Sequence, residues 1–202
     1  MTHPVYLVRH GQSEWNVLRL TQGQTTHPRL TALGRTQAEQ AAERIVADLA
    51  ATGRRAGRIL ASDLARAWET AAVIAARLDL PVAADPRLRE QHLGDLEGRS
   101  YDQTWAVAEE HDWSDPSLPI AGGESLLDVH DRMAAVLRDL AMGDPEGATV
   151  LVSHGDAIRA AVAHLEGIEP HRAAWVDVPN GAVARVDGGV YDPVTGRVVW
   201  LP

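Results

Sequence analysis

The 202-residue chain has no cysteine, which excludes disulfides, thiolate metal ligands and cysteine nucleophiles together. It also has no apolar stretch long enough to cross a bilayer, and its opening "MTHPVYLVRHG" lacks the basic segment and apolar core of an export signal. A soluble cytoplasmic protein with no membrane partner is the expectation. Basic runs are missing as well: 19 Lys and Arg face 28 Asp and Glu, a net charge of −9. No segment is therefore suited to displacing counterions from a nucleic-acid backbone, and nucleic acid is not an expected partner. A Gly-rich loop followed by Lys is absent, and so is any Asp-rich or His-x-x-x-His cluster. Nucleotide-dependent and metal-dependent chemistry are thereby disfavoured, and neither a cofactor nor a metal is expected. With no internal repeat, low-complexity tract or linker, residues 1–202 read as a single domain.

Short apolar runs do alternate with helical patterns, as in an α/β fold with a largely parallel sheet covered on both faces. "VYLV" at 5–8, "RILAS" at 58–62 and "TVLVS" at 149–153 read as buried strands, and "PVAA" from Pro81 as a weaker one. "AVARV" and "RVVWL" predict an antiparallel edge pair joined through the turn-rich "DGGVYDPVTG". Four stripes at helical spacing lie between: Ala38, Ala41, Ala42, Ile45 and Leu49; Leu64, Trp68, Ala71, Ala75 and Leu78; Leu126, Val129, Met133, Val136 and Leu140; and Ile158, Ala161, Val162 and Leu165. Ser125, with Asp128 three residues on, predicts an N-cap for the third, and Gly167 a stop for the fourth. The fold expected is a three-layer α/β/α sandwich. From about 91 to 123 the pattern breaks: Trp105, Trp113, prolines and glycines follow no period, which predicts an inserted lid.

Three transitions from strand to loop carry reactive side chains. "LVRHG" supplies Arg9 and His10, "LASDLARA" places Arg66 in the first turn of its helix, and "LVSHGD" supplies His154. In open α/β sheets ligands bind at the carboxyl ends of strands, so these groups are expected around one crevice. Two guanidinium groups, two imidazoles and helix N-termini suit a phosphate. With thiols and metals set aside, an imidazole is the candidate nucleophile.

"RHGQSEWN", "LTALGRTQA", "SDLARAWETA", "LREQHLGDLEG", "GGES" and "VSHGD" occur in this order over residues 5–157, and together they resemble the histidine phosphatase superfamily, also called phosphoglycerate mutase-like. The resemblance implies that His10 takes up the phosphoryl group. It implies further that Arg9, Arg66 and His154 hold the phosphate oxygens with Asn16 nearby, and that Glu90 moves the proton of the leaving oxygen. Gly11, Gln22, Gly23, His92 and Gly155 are the accompanying substrate-binding candidates. The chemistry fits these roles. A neutral imidazole attacks phosphorus when its other nitrogen is fixed by a hydrogen bond. Fixed cations stabilise charge spread over the equatorial oxygens. A carboxyl group beside a phosphate dianion is pushed toward its acid form. "RLREQHLGDLEG" also contains Asp95 and Glu97, and it is the family pattern that selects Glu90.

The family holds both hydrolases and mutases. Mutases tend to carry Glu-Arg-His-Tyr-Gly after the acid, with Arg and Tyr holding the substrate carboxylate; this chain reads Glu90, Gln91, His92, Leu93, Gly94. Between 91 and 123, seven acids (Asp95, Glu97, Asp102, Glu109, Glu110, Asp112 and Asp115) face Arg99 alone. Such a wall disfavours a second strong anion. The expectation is a metal-independent phosphatase acting on a small phosphorylated metabolite, with Trp15, His92, Leu93, Trp105 and Trp113 as a partly aromatic entrance. "RLREQHLGD" is also similar to the matching stretch of phosphatases acting on glycosylated phosphoglycerate. Arg19, His27 and Arg29 keep a cofactor-dependent mutase as the alternative, and a non-catalytic phospho-ligand module is a third reading. A homodimer is left open.

Overall fold

The computed structural model describes residues 4–143, 146–187 and 197–202. At its centre lie two apolar strands, β1 (Val5–Arg9) and β4 (Ala148–Ser153), parallel and paired from Val5 with Thr149 to Arg9 with Ser153. β4 is buried along its whole length, which explains why its sequence is a continuous apolar run rather than an alternating one. β2 (Ala56–Ala61) pairs parallel to the other side of β4, and β3 (Val82–Ala84) parallel to β2. β5 (Val183–Asp187) pairs antiparallel with β1, and β6 (Arg197–Trp200) antiparallel with β5. The sheet order is β3-β2-β4-β1-β5-β6. The expected edge pair is therefore present, while residues 188–196 of the expected turn lie outside the described residues.

Helices cover both faces. Tyr6, Val8, Ile59, Val150 and Val152 pack with α2 (Ala32–Thr52) and α3 (Ala65–Leu78). Val5, Leu7, Leu151 and Val186 point the other way, onto α5 (Leu126–Met142) and α6 (Gly155–Leu165). The period-2 alternation of β1 thus feeds two separate cores, giving the three layers that the sequence predicted. α5 starts at the predicted cap, where Ser125 and Asp128 form a reciprocal capping box. α6 ends beside Gly167, whose φ is +66°.

The stripe predicted for α3 needs correction. Trp68 is 40% exposed, and the face turned inward is Arg66, Ala67, Thr70, Ala71 and Ile74. Leu64 is buried but caps the helix from outside it, so counting from Leu64 shifts the phase by one residue. Two of the inward positions, Arg66 and Thr70, are polar because this helix end faces the site.

Residues 91–123 form an irregular segment with a short turn at Gly94–Leu96 and the helix α4 (Tyr101–Glu110), none of whose residues is buried. It is tied to the loop after α1 (Glu14–Leu18) by the Thr21 N–H to the Arg99 carbonyl (2.8 Å) and the Tyr101 N–H to the Arg19 carbonyl (2.9 Å). No helix among the described residues is long and apolar enough to cross a membrane.

Candidate active site

β1 and β4 are parallel neighbours in register, so the residues that follow them emerge side by side. The His10 N–H extends the ladder by one step to the Ser153 carbonyl (3.0 Å). The rings of His10 and His154 consequently lie 5.1 Å apart at the carboxyl end of the sheet. β2 delivers Ser62 to the same place, with Ser62 Oγ 2.8 Å from His154 Nε2. A strand-ending serine in "LASD" was the available sequence signal for Ser62, and it was missed.

His10 is almost wholly buried, and its Nδ1 lies 2.7 Å from the Gly11 carbonyl oxygen. A carbonyl only accepts, so Nδ1 carries the proton and Nε2 presents its lone pair. Burial first, then the Arg66 and Arg9 charges, hold the His10 pKa well below the ordinary imidazole value, and the ring is neutral at pH 7. His154 is lowered for the same reasons. Gly11 is required by close approach: a Cβ there would stand 2.1 Å from the Gly34 carbonyl oxygen.

Arg66 is fully buried, its Nη1 donating to the Thr25 carbonyl (2.9 Å) and its Nη2 to the Gly23 carbonyl (2.7 Å). Burial pushes its pKa down to about 10, which leaves it a cation at pH 7. Gly23 adopts φ +47° with Glu97 packed against it, so that its carbonyl meets the guanidinium. Thr70, one turn after Arg66, receives the Gly11 N–H (3.1 Å). Arg9 is anchored by the Val178 carbonyl. A side chain at Gly155 would lie 3.7 Å from the Arg9 guanidinium carbon. Among the described residues, Arg9 Nε, Arg66 Nε and His154 Nδ1 are buried nitrogens with no hydrogen-bond partner. A phosphate supplies the oxygens that such nitrogens require.

Glu90 reaches α6 from the loop after β3. Its Oε1 accepts the backbone N–H groups of Gln91 (3.1 Å), Asp156 (3.0 Å) and Ala157 (3.2 Å). The carboxylate thereby caps a helix whose own N-cap residue, His154, provides no side-chain bond. All three bonds fall on Oε1, so the proton of the acid form belongs on Oε2. Burial and the Asp156 carboxylate raise the Glu90 pKa, while Arg66 and Arg9 oppose them. The rival acids are placed elsewhere. Asp95 is exposed, and Glu97 is occupied by the N–H groups of Gln24 (2.8 Å) and Leu93 (3.1 Å).

The other predicted binding residues divide. Asn16 Nδ2 donates to Tyr101 Oη (3.3 Å), and Asn180 Nδ2 donates to both the His10 carbonyl (3.1 Å) and Asn16 Oδ1 (3.3 Å). Gln22 bonds Ser13 Oγ at 2.7 Å. His92 stands apart, its ring half-exposed and 3.8 Å from Glu97. Asn180 and Tyr101 were not legible in advance, since neither lies at a strand end.

Arg132 of α5 was also missed. It donates to both Glu124 oxygens (2.9 and 3.0 Å) and to the carbonyls of Arg87 (2.7 Å), Arg89 (2.6 Å) and Glu90 (3.0 Å). The fork thus fixes the backbone that carries Glu90.

The expected aromatic entrance is assembled only in part. Trp105 and Trp113 border a common cleft, whereas Trp15 packs edge-on against His27 at 5.0 Å. Of the cations behind the mutase reading, Arg29 pairs with Glu69 (2.8 Å) and Arg19 with Asp102 (3.4 Å).

Known proteins resemble the whole chain. A model of the histidine phosphatase superfamily (branch 1) matches residues 5–199. A probable phosphoglycerate mutase of Proteus mirabilis is 36% identical over 191 residues, which covers 91% of this chain and 84% of that protein. A mycobacterial glucosyl-3-phosphoglycerate phosphatase, solved with VO3, is 32% identical with a TM-score of 0.79, covering 98% of this chain and 97% of that one. Bacillus stearothermophilus YhfR is 30% identical with a TM-score of 0.80, covering 98% and 96%. On these matches and on the paired histidines at the sheet's carboxyl end, the chain belongs to the histidine phosphatase superfamily.

Proposed function

We propose that the protein is a metal-independent phosphatase that hydrolyses small-molecule phosphomonoesters through a phosphohistidine at His10. The observation that carries this reading is the neutral His10, with Nδ1 tied to the Gly11 carbonyl, set among buried Arg and His nitrogens that have no protein partner. In the first half-reaction His10 Nε2 bonds to phosphorus as the P–O bond to the alcohol breaks, and the Glu90 proton passes to the alcohol oxygen. Arg9, Arg66 and His154 hold the three equatorial oxygens, with Ser62 donating to His154 Nε2 so that Nδ1 carries a proton toward the phosphate. In the second, the Glu90 carboxylate takes a proton from water, whose oxygen displaces Nε2 and releases inorganic phosphate.

Hydrolysis is preferred over isomerisation because the Arg and Tyr of the mutase pattern are Gln91 and Leu93 here, and because Arg19 and Arg29, two of the three basic groups behind the mutase reading, face Asp102 and Glu69. The mutase reading draws its support from the name of the Proteus mirabilis relative. The test is acid-quenched turnover with a 32P-labelled ester. The wild type is expected to yield an acid-labile phosphohistidine and His10→Ala none, with its turnover abolished; a wild type that turns over without any adduct overturns the covalent route. EDTA is expected to leave the rate unchanged. Incubation with 2- and 3-phosphoglycerate is expected to give no interconversion.

A further inference from the structure

α4, the start of α5, α6 and residues 170–175 enclose a cleft of about 540 Å³. Its walls are Trp105, Trp113, Trp175 and Leu126, together with alanines of α6. The three tryptophans are 56%, 39% and 68% exposed, so a chain with six tryptophans presents half of them to solvent around one hollow. Large apolar groups gathered in this way mark a recognition surface. The volume is of the order that holds a small organic molecule, roughly 300–1,000 Å³.

At one end the cleft adjoins the residues that hold Glu90. Gln91 and Asp156 line the cleft, and the backbone N–H groups of the same two residues are donors to Glu90 Oε1. An alcohol released at Glu90 therefore has its carbon body directed at the cleft. Arg159, the guanidinium on its wall, is already engaged: Nη1 bonds Asp156 Oδ1 (2.8 Å), Nε bonds the Val176 carbonyl (2.7 Å), and the group lies 3.6 Å from the centroid of Trp175. Glu109 adds a negative charge. A carboxylate or a second phosphate meets Glu109, Asp156 and an already engaged Arg159 there, with His171, 3.7 Å from Glu169, as the other basic group on the wall.

We propose that this cleft binds the alcohol moiety of the substrate and that the alcohol is apolar: an aryl or medium-length alkyl group without an acidic substituent. The inference rests on the hydrolase reading above and names the class of ester it takes. In this arrangement phosphorus lies at His10, the leaving oxygen at Glu90 and the hydrocarbon between Trp105, Trp113 and Trp175, with Gln91 and Asp156 the link between the acid and the cleft.

The experiment compares kcat/KM for ethyl and n-hexyl phosphate, whose leaving alcohols are closely matched in acidity, so that a difference reports burial of the chain. Burial of each of the four added methylenes is worth about two- to fourfold, which predicts a ratio of roughly 16–250 in favour of hexyl. In the double variant Trp105→Ala/Trp113→Ala the ratio is expected to fall by about tenfold, while the inhibition constant of vanadate, which needs the phosphate pocket alone, stays within about twofold. Trp105 and Trp113 are 56% and 39% exposed, and an unchanged vanadate constant reports that the fold is kept. The inference is overturned if p-nitrophenyl phosphate is hydrolysed but the two alkyl esters react equally, as for a cleft built to receive another protein. It is also overturned if the double variant keeps the wild-type ratio. Absence of phosphate release from every ester, p-nitrophenyl phosphate included, overturns the hydrolase reading and this inference with it.

Discussion

Two groups in the site are held away from their ordinary protonation, and in opposite senses. His10 is kept neutral by burial and by Arg66 and Arg9, as a nucleophile requires. Glu90 is kept protonated to higher pH by burial and by Asp156, as an acid requires. On the proposed route, protonation of His10 silences attack only well below pH 6.5, whereas ionisation of Glu90 removes the acid as pH rises through a value above 4.5. For esters with poor leaving groups, kcat/KM is therefore expected to decline on the alkaline side of the raised Glu90 pKa. Glu90→Gln should abolish that limb and lower kcat on alkyl esters by about 10²–10⁴, the usual worth of a general acid. Aryl esters, whose leaving groups need little protonation, should lose about tenfold or less. A pH profile on both ester classes checks this, and equal slowing of both would remove Glu90 from the acid role.

At the scale of elements, convergence comes from register and from long-range capping. His10 and His154 meet because β1 and β4 end level with one another. Glu90 is placed because α6 lacks a side-chain cap of its own and takes the carboxylate instead. The loop bearing Glu90 is held in turn by Arg132, whose fork spans Glu124 and three backbone carbonyls from 87 to 90. The Arg132 and Glu124 side chains are 15% and 22% exposed, so removal of one leaves the other charge poorly solvated. Arg132→Met is expected to cost about 3 kcal/mol in urea unfolding. Adding Glu124→Gln should recover part of that loss, because the unpaired charge goes with it. A double variant less stable than the sum of the two single variants would contradict the pairing.

For the whole molecule, the layers were legible because apolar strand runs alternate with helical periods, and the two sets of core residues alternate along β1 with the two-residue period of a strand. His10, Arg66 and His154 were legible because strand ends and first helical turns are local features. Ser62 carried the same local signal at the end of β2, whereas Asn180, Tyr101 and Arg132 did not, since what marks them is a partner 42 to 170 residues away. The phase of α3 was misread because Arg66 and Thr70 take inward positions for the sake of the site, against the apolar pattern. That same demand has a cost in stability that depends on pH. His10 and His154 are buried neutral, with pKa values well below 6.5. Below about pH 6.5 the unfolded chain binds protons that the folded chain refuses, so stability falls as pH falls. At pH 5.5 the loss is on the order of 1 kcal/mol for each histidine. Glu90 acts in the other direction, because its raised pKa favours the folded state as pH drops toward 4.5, and a single carboxyl group offsets part of what two histidines take away. Urea titrations at pH 7.5 and 5.5 are therefore expected to show a less stable wild type at the lower pH. The double variant His10→Gln/His154→Gln should lose markedly less between the two, and an identical loss in both proteins would show that the histidines are not the source. Saturating phosphate, which compensates the positive charge of the pocket, should shrink the wild-type difference toward that of the variant.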